Sequence, residues 1–329
     1  MESLFNEDGL IVESSYQETM DTLVLPYLQV RENVKTIRGD GEKPLYTVSY
    51  TAEHPAGTVL MVHGFTENAY KYSELVYSFL QNGLNVVIYD QRGHGRSWRS
   101  DDIRDHSLTH VDHFDEYVRD MEAVIAQVLN GFPKPWTVFS HSMGGAVTSL
   151  YLEQHPDTFD RAVFCAPMIA PNLGGMPAAA ISAICRCAKA AGNGKKRIFV
   201  SRPYKGLEDF ETSAASGKAR FDWYNKVKAE HTEFQNNGPS YSWTLEAIHV
   251  TKRILVPGAV EKIVCPVRVY GAENDGSVMG EPQAAFAARL KNGSRTVVPG
   301  SRHEIYLHSG PLGTVLLLER KELPHPHAR

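Results

Sequence analysis

The segment that most constrains this chain is Val138-Phe139-Ser140-His141-Ser142-Met143-Gly144-Gly145-Ala146. An apolar strand runs into a serine, two glycines follow, and helix-forming residues continue. Small residues at 140 and 144 permit a sharp turn that presents Ser142 at the C-terminal edge of a sheet. The N-terminus of the following helix favours negative charge developing beside that serine. Taken alone, such a segment also reads as a plain tight turn with an unreactive serine.

The flanking sequence has the rhythm of a parallel sheet. Pro44–Tyr50 alternates as a strand, and Thr58–Val62 is continuously apolar, as in a strand buried on both faces. Ser73–Leu80 has helical spacing and is ended by Asn82-Gly83. Asn85–Tyr89 is a further strand. Over residues 114–130, Phe114, Tyr117, Val118, Met121, Val124, Ile125 and Val128 form one helical stripe. Trp136–Phe139 predicts a strand, Gly144–Glu153 a helix and Arg161–Cys165 a strand. This alternation implies an α/β fold with a mostly parallel central sheet and helices on both faces.

The rhythm stops near Pro167 and resumes with a strand at Val267–Tyr270, a helix at Pro282–Leu290 and a strand at Thr296–Val298. The expected organisation is an N-terminal extension (1–34), an α/β core (35–167 and 256–320), a helical insertion (168–255) and a disordered tail (321–329). In the extension, Leu23–Leu28 reads as a short packing segment.

Composition excludes several classes. The 329 residues carry 34 Lys and Arg against 38 Asp and Glu, so no positive field attracts nucleic acid. A hydrophobic content of 42% is too high for a disordered chain. No run of 18 apolar residues predicts a membrane span. The acidic start, Met1–Asp8, lacks the basic and apolar parts of a secretory signal. Cys165, Cys185, Cys187 and Cys265 are expected to be free thiols, which suits a cytoplasmic location. Asp101, Asp102, Asp105, His106, His110, Asp112 and His113 read as a polar loop and helix start, and no metal or cofactor is expected.

A nucleophilic serine needs a base, an orienting acid and donors for the oxyanion. After the strand at Val267–Tyr270 come Glu273 and Asp275, of which Asp275 is the candidate acid and Glu273 its rival. After the next strand comes His303, the candidate base. The backbone N–H groups of Phe65, in the His63-Gly64 turn after an earlier strand, and of Met143 are the candidate oxyanion donors.

With Tyr89-Asp90-Gln91-Arg92-Gly93-His94-Gly95-Arg96-Ser97, these motifs resemble the α/β-hydrolase superfamily. More narrowly, they resemble its bacterial lysophospholipase, monoacylglycerol lipase and serine-aminopeptidase-like branch. His-Gly-Phe-x-Glu followed by Tyr70 and Tyr72 belongs to that likeness. So do His110-Val111-x-x-Phe114-x-x-Tyr117-Val118-x-Asp120 and Gly238-Pro239-Ser240-Tyr241-x-Trp243, which are similar to the lysophospholipase members. The resemblance spans residues 35–308.

It implies that Ser142 attacks an ester carbonyl of a single-chain lipid, with His303 as base, Asp275 as its orienter and Phe65 and Met143 N–H groups on the oxyanion. It also implies that the insertion is a lid. Met168, Ile169, Met176, Ile181, Ile184, Phe221, Trp223, Tyr224 and Trp243 then line an acyl-chain site or form the lid's own core. Between Arg161 and Lys205, Arg186, Lys189, Lys195, Lys196, Arg197 and Arg202 stand without an acid. Either they meet a phosphate headgroup or an anionic membrane surface, or they are a solvated run balanced by acids elsewhere.

Three other readings stay open: a proline-type aminopeptidase, for which Glu208, Asp209 and Glu211 are candidate amine binders; a small-ester carboxylesterase; and a non-catalytic ligand-binding fold. After His303 the sequence departs from the family, because Gly310, Pro311, Gly313 and Pro324 break the long terminal helix that the resemblance implies and leave a short helix candidate at Val315–Leu318. Oligomeric state is left open by that departure.

Overall fold

A computed structural model of the chain describes residues 4, 5 and 10–307. The expected Val315–Leu318 helix and the 321–329 tail lie outside the described residues. Eight strands form the main sheet: β1 (Glu32–Arg38), β2 (Pro44–Tyr50), β3 (Gly57–Val62), β4 (Leu84–Tyr89), β5 (Trp136–His141), β6 (Arg161–Cys165), β7 (Val267–Ala272) and β8 (Gly293–Val298). Their order is β1-β2-β4-β3-β5-β6-β7-β8. β2 is antiparallel to both its neighbours, and every pair from β4 to β8 is parallel.

The two-residue period of a strand divides the core into two layers. Leu60, Val62, Val87 and Val138 face one side, where α2 (Asp115–Gln127) and α3 (Met143–Gln154) pack. Val59, Met61, Val86 and Phe139 face the other, where α1 (Ser73–Gln81) packs. All of β3 is buried, as its unbroken apolar run requires. Helix α3 is buried from Met143 to Leu152, so it packs on all sides rather than on one face.

Two N-terminal features go beyond the sequence reading. Helical turns run from Tyr16 to Gln29, and Tyr16, Met20, Val24 and Leu28 bury one stripe at four-residue spacing. β1 begins at Glu32, inside the expected extension. Only Ile37 of β1 is buried, so this edge strand carries no apolar period to betray it.

Between β6 and β7 stand three helices: α4 (Ala178–Ala190), α5 (Lys218–Glu230) and α6 (Tyr241–Ile254). A two-residue ladder pairs Leu108–Thr109 with Gly238–Pro239 and ties this segment to the core. A further helix, α7 (Gly280–Arg289), links β7 to β8. All four cysteines are free, with Cys187 on α4 exposed and the other three buried. Among the described residues no helix is long and apolar enough to cross a membrane.

Candidate active site

Ser142 joins β5 to α3 with φ 48° and ψ −116°. A non-glycine residue in that region costs about 1–3 kcal/mol, which the surroundings must offset. Its N–H donates to the Cys165 carbonyl at 3.1 Å, and its own carbonyl accepts from Gly145 and Met168 at 2.9 and 2.8 Å. The two glycines follow from the crowding. A Cβ on Gly144 would stand 2.1 Å from the Val62 carbonyl oxygen, and one on Gly145 would stand 2.5 Å from Pro167 Cβ.

Phe65, Ser142, Asp275 and His303 all follow the C-terminal ends of parallel strands, where α/β sheets place their sites. His303 Nε2 lies 2.8 Å from Ser142 Oγ, and His303 Nδ1 lies 2.9 Å from Asp275 Oδ2. Asp275 Oδ1 accepts from the Ser277 and Val278 N–H groups, each at 2.9 Å. Burial pushes the Asp275 carboxyl up, but the His303 hydrogen bond and charge, with these two amides, hold it below its usual value. The rival Glu273 instead accepts from the Gly300 N–H at 2.8 Å and does not meet the histidine.

The Phe65 and Met143 amides donate to no protein acceptor among the described residues. The Phe65 loop passes close to the serine, since a Cβ on Gly64 would stand 3.0 Å from Ser142 Cβ. His63 anchors this loop. Its Nε2 accepts from the Gln91 N–H at 2.9 Å, which leaves the proton on Nδ1 for the Gly64 carbonyl.

A second imidazole and carboxylate, without an assigned role in the sequence reading, lie behind His303. His141 Nδ1 is 2.9 Å from Glu67 Oε2, and His141 Nε2 is 3.2 Å from the His303 carbonyl oxygen. Both ring nitrogens face acceptors, which favours the doubly protonated imidazole. Glu67 also accepts from the Gly64 N–H, Tyr72, Tyr306 and Lys71. Burial opposes both charges. The Glu67 carboxylate nevertheless holds His141 above its usual value, while His141 and Lys71 hold Glu67 well below its own. His-Gly-Phe-x-Glu contains Glu67, but nothing in that motif pairs it with His141.

A cavity of about 480 Å³ opens onto Ser142 and His303. Met168, Met176, Ile181 and Trp243 line it, and Met168, Trp243 and Ile181 belong to the cores as well. Trp243 packs on Phe65 with ring centroids 4.1 Å apart. Ile169 and Trp223 belong instead to the cores, Ile184 is exposed, and Phe221 and Tyr224 line a different cavity. The basic run is partly neutralised: Lys195 pairs with Asp102 at 2.7 Å and Arg197 with Asp105 at 2.8 Å. These pairs also employ two acids of the 101–113 stretch, while His110 Nδ1 bonds Ser240 Oγ at 2.9 Å.

Sheet order, elbow and insertion point together define an α/β-hydrolase. The family model described as serine aminopeptidase S33 matches residues 53–309, and the chain belongs to that family. Lysophospholipase L2 of Escherichia coli is 28% identical over 290 residues, covering 85% of this chain and 83% of the relative. Monoacylglycerol lipase of Mycolicibacterium smegmatis is 30% identical over 138 residues, covering 42% and 47%. A thermostable carboxyl esterase of Bacillus coagulans shares the fold with a TM-score of 0.69 at 18% identity, covering 89% and 99%.

Proposed function

We propose that this protein is a serine hydrolase that cleaves carboxylic esters of single-chain lipids, lysophospholipids or monoacylglycerols, through an acyl-enzyme on Ser142. The observation that carries the reading is the 2.8 Å approach of His303 Nε2 to Ser142 Oγ at the end of an apolar cavity. The names of the Escherichia coli and Mycolicibacterium smegmatis relatives support the lipid substrate.

In this mechanism His303 takes the Ser142 proton as Oγ attacks the ester carbonyl, and Asp275 stabilises the imidazolium. The Phe65 and Met143 N–H groups bind the oxyanion. His303 then protonates the departing alcohol, and water repeats the cycle on the acyl-enzyme. Residues 168–255 act as the lid over this chemistry. The family's description favours a second reading, release of a peptide's N-terminal residue. Of its candidate amine binders, Glu208 is paired with Lys228 and Glu211 lies 3.9 Å from Arg302, while Asp209 lines a cavity that does not include Ser142.

The enzyme is proposed to work in the cytoplasm and to meet its lipid at a surface. Exposed Met176, Ile184, Phe199 and Val200 stand in the same segment as exposed Arg186, Lys196 and Arg202, which suits an anionic bilayer. Flotation with anionic but not neutral vesicles supports that contact; no flotation with either removes it. Fatty-acid release from lysophosphatidylcholine and monoacylglycerol, compared in wild type and Ser142→Ala, tests the activity. Cleavage by wild type and a loss on the order of 10⁶ in the variant are expected. If wild type cleaves neither lipid, the assignment fails.

A further inference from the structure

A second cavity of about 350 Å³ adjoins the first, and Thr66, Ala214 and Glu304 line both. Its size is within the range of about 300–1,000 Å³ common for ligand sites. The two differ in chemistry. The first is walled by Met, Ile and Trp side chains, whereas the second presents Lys71, Lys228, Glu208 and Asp209. The shared residues include neighbours of Phe65 and His303, so the two cavities meet at a wall beside the Ser142 site.

The two lysines are buried, each with a side chain only 7% exposed. An ammonium has three donors. Lys71 gives two of them to Glu67 Oε1 and Glu304 Oε1, at 3.2 and 2.5 Å. Lys228 gives one to Glu208 Oε1 at 2.8 Å. Among the described residues this leaves one donor on Lys71 and two on Lys228 without a hydrogen-bond acceptor, with the Tyr224 and Tyr306 rings facing Lys71 and the Tyr204 ring facing Lys228. Burial draws the Lys228 ammonium below its usual value, the Glu208 charge partly restores it, and the Lys71 charge lowers it again. A buried cation with spare donors and a like-charged neighbour is improved by an incoming anion. Asp209 is exposed at the same cavity, where it suits a terminal ammonium.

Building on the lipid-ester reading of Ser142, we propose that the second cavity binds the zwitterionic phosphate headgroup of a lysophospholipid, its phosphate on Lys228 and Lys71. The acyl chain then occupies the apolar cavity, and the scissile ester lies between the two at Ser142. The site favours lysophospholipids over monoacylglycerols, which have no charge to place there.

Calorimetric titration with glycerophosphoethanolamine and with inorganic phosphate tests binding without catalysis. The wild type is expected to bind glycerophosphoethanolamine more tightly than phosphate, and Lys228→Met to bind it on the order of tenfold to a hundredfold more weakly. Correspondingly, the ratio of kcat/KM for lysophosphatidylethanolamine to that for the matched monoacylglycerol falls by a similar factor, and Lys228→Arg restores part of it. No binding to wild type, equal binding of phosphate alone, or an unchanged ratio in a folded Lys228→Met overturns the proposal. If that variant does not fold, competition by glycerophosphoethanolamine against hydrolysis of a p-nitrophenyl ester in wild type decides the same point, absence of competition counting against it. If wild type cleaves neither lipid, the activity reading fails while the titration still judges the cavity.

Discussion

Two imidazole–carboxylate pairs lie side by side in this molecule, His303 with Asp275 and His141 with Glu67, their rings 4.9 Å apart. In both, a carboxylate meets Nδ1 at 2.9 Å. They differ at Nε2. That of His303 faces a hydroxyl, which either donates or accepts, so the ring can lose and regain a proton. That of His141 faces a carbonyl oxygen, which only accepts, so the cationic form of the ring is favoured. The carboxylate therefore does not by itself make a base; the group across the ring does. The cation has a different task, tying the backbone of His303 to the strand that presents Ser142.

The sharpest way to break the comparison is His303→Ala. It should lower kcat on ester substrates by on the order of 10⁶, with folding checked by circular dichroism. A loss below about 10³ would mean that His303 is not the base. Next in size is Asp275→Asn, expected to cost about 10⁴ in kcat by favouring the wrong tautomer. Glu273→Gln should leave kcat unchanged, and an equal loss in both variants would return the rival acid to contention.

For the second pair the larger effect is on stability. Glu67→Gln leaves two buried cations, His141 and Lys71, short of a partner. Breaking a buried pair this way costs about 3–5 kcal/mol, readable by urea unfolding. The smallest effect is in the pH dependence. His141, raised above 6.5 in the fold, adds stability that is complete below 6.5 and is lost as pH rises through the folded value. Glu67, lowered from 4.5, adds stability that is complete above 4.5 and is lost as pH falls through the folded value. Both contributions are whole between pH 4.5 and 6.5. Melting temperature against pH should decline on the alkaline side in wild type and flatten there in His141→Asn, a tenfold gain in proton affinity on folding being worth about 1.4 kcal/mol. An unaltered alkaline slope in that variant would show that His141 is not the titrating group.

The first pair was legible in the sequence and the second was not, for a physical reason. Ser142, Asp275 and His303 each follow a recognisable buried strand, so strand periodicity brings them to one edge of the sheet. Glu67 and His141 are joined by a contact across 74 positions, which no local period encodes. The parallel strands were readable because burial on both faces leaves unbroken apolar runs. β1 was missed because its residues, apart from Ile37, face solvent or lie at the edge. The helices between β6 and β7 were expected as a class, yet which side chains reach the cavity depends on packing. Ile181 lines it, while Ile184, three residues on, is exposed.

The distribution of thiols gives the molecule a built-in reporter. Cys165, Cys185 and Cys265 are buried, and burial pushes each of their thiols up, away from the reactive thiolate. Cys187 is exposed on α4, the helix whose Ile181 reaches the apolar cavity. A maleimide fluorophore would therefore attach at one place without any engineered cysteine, on the same helix that sends Ile181 into the apolar cavity.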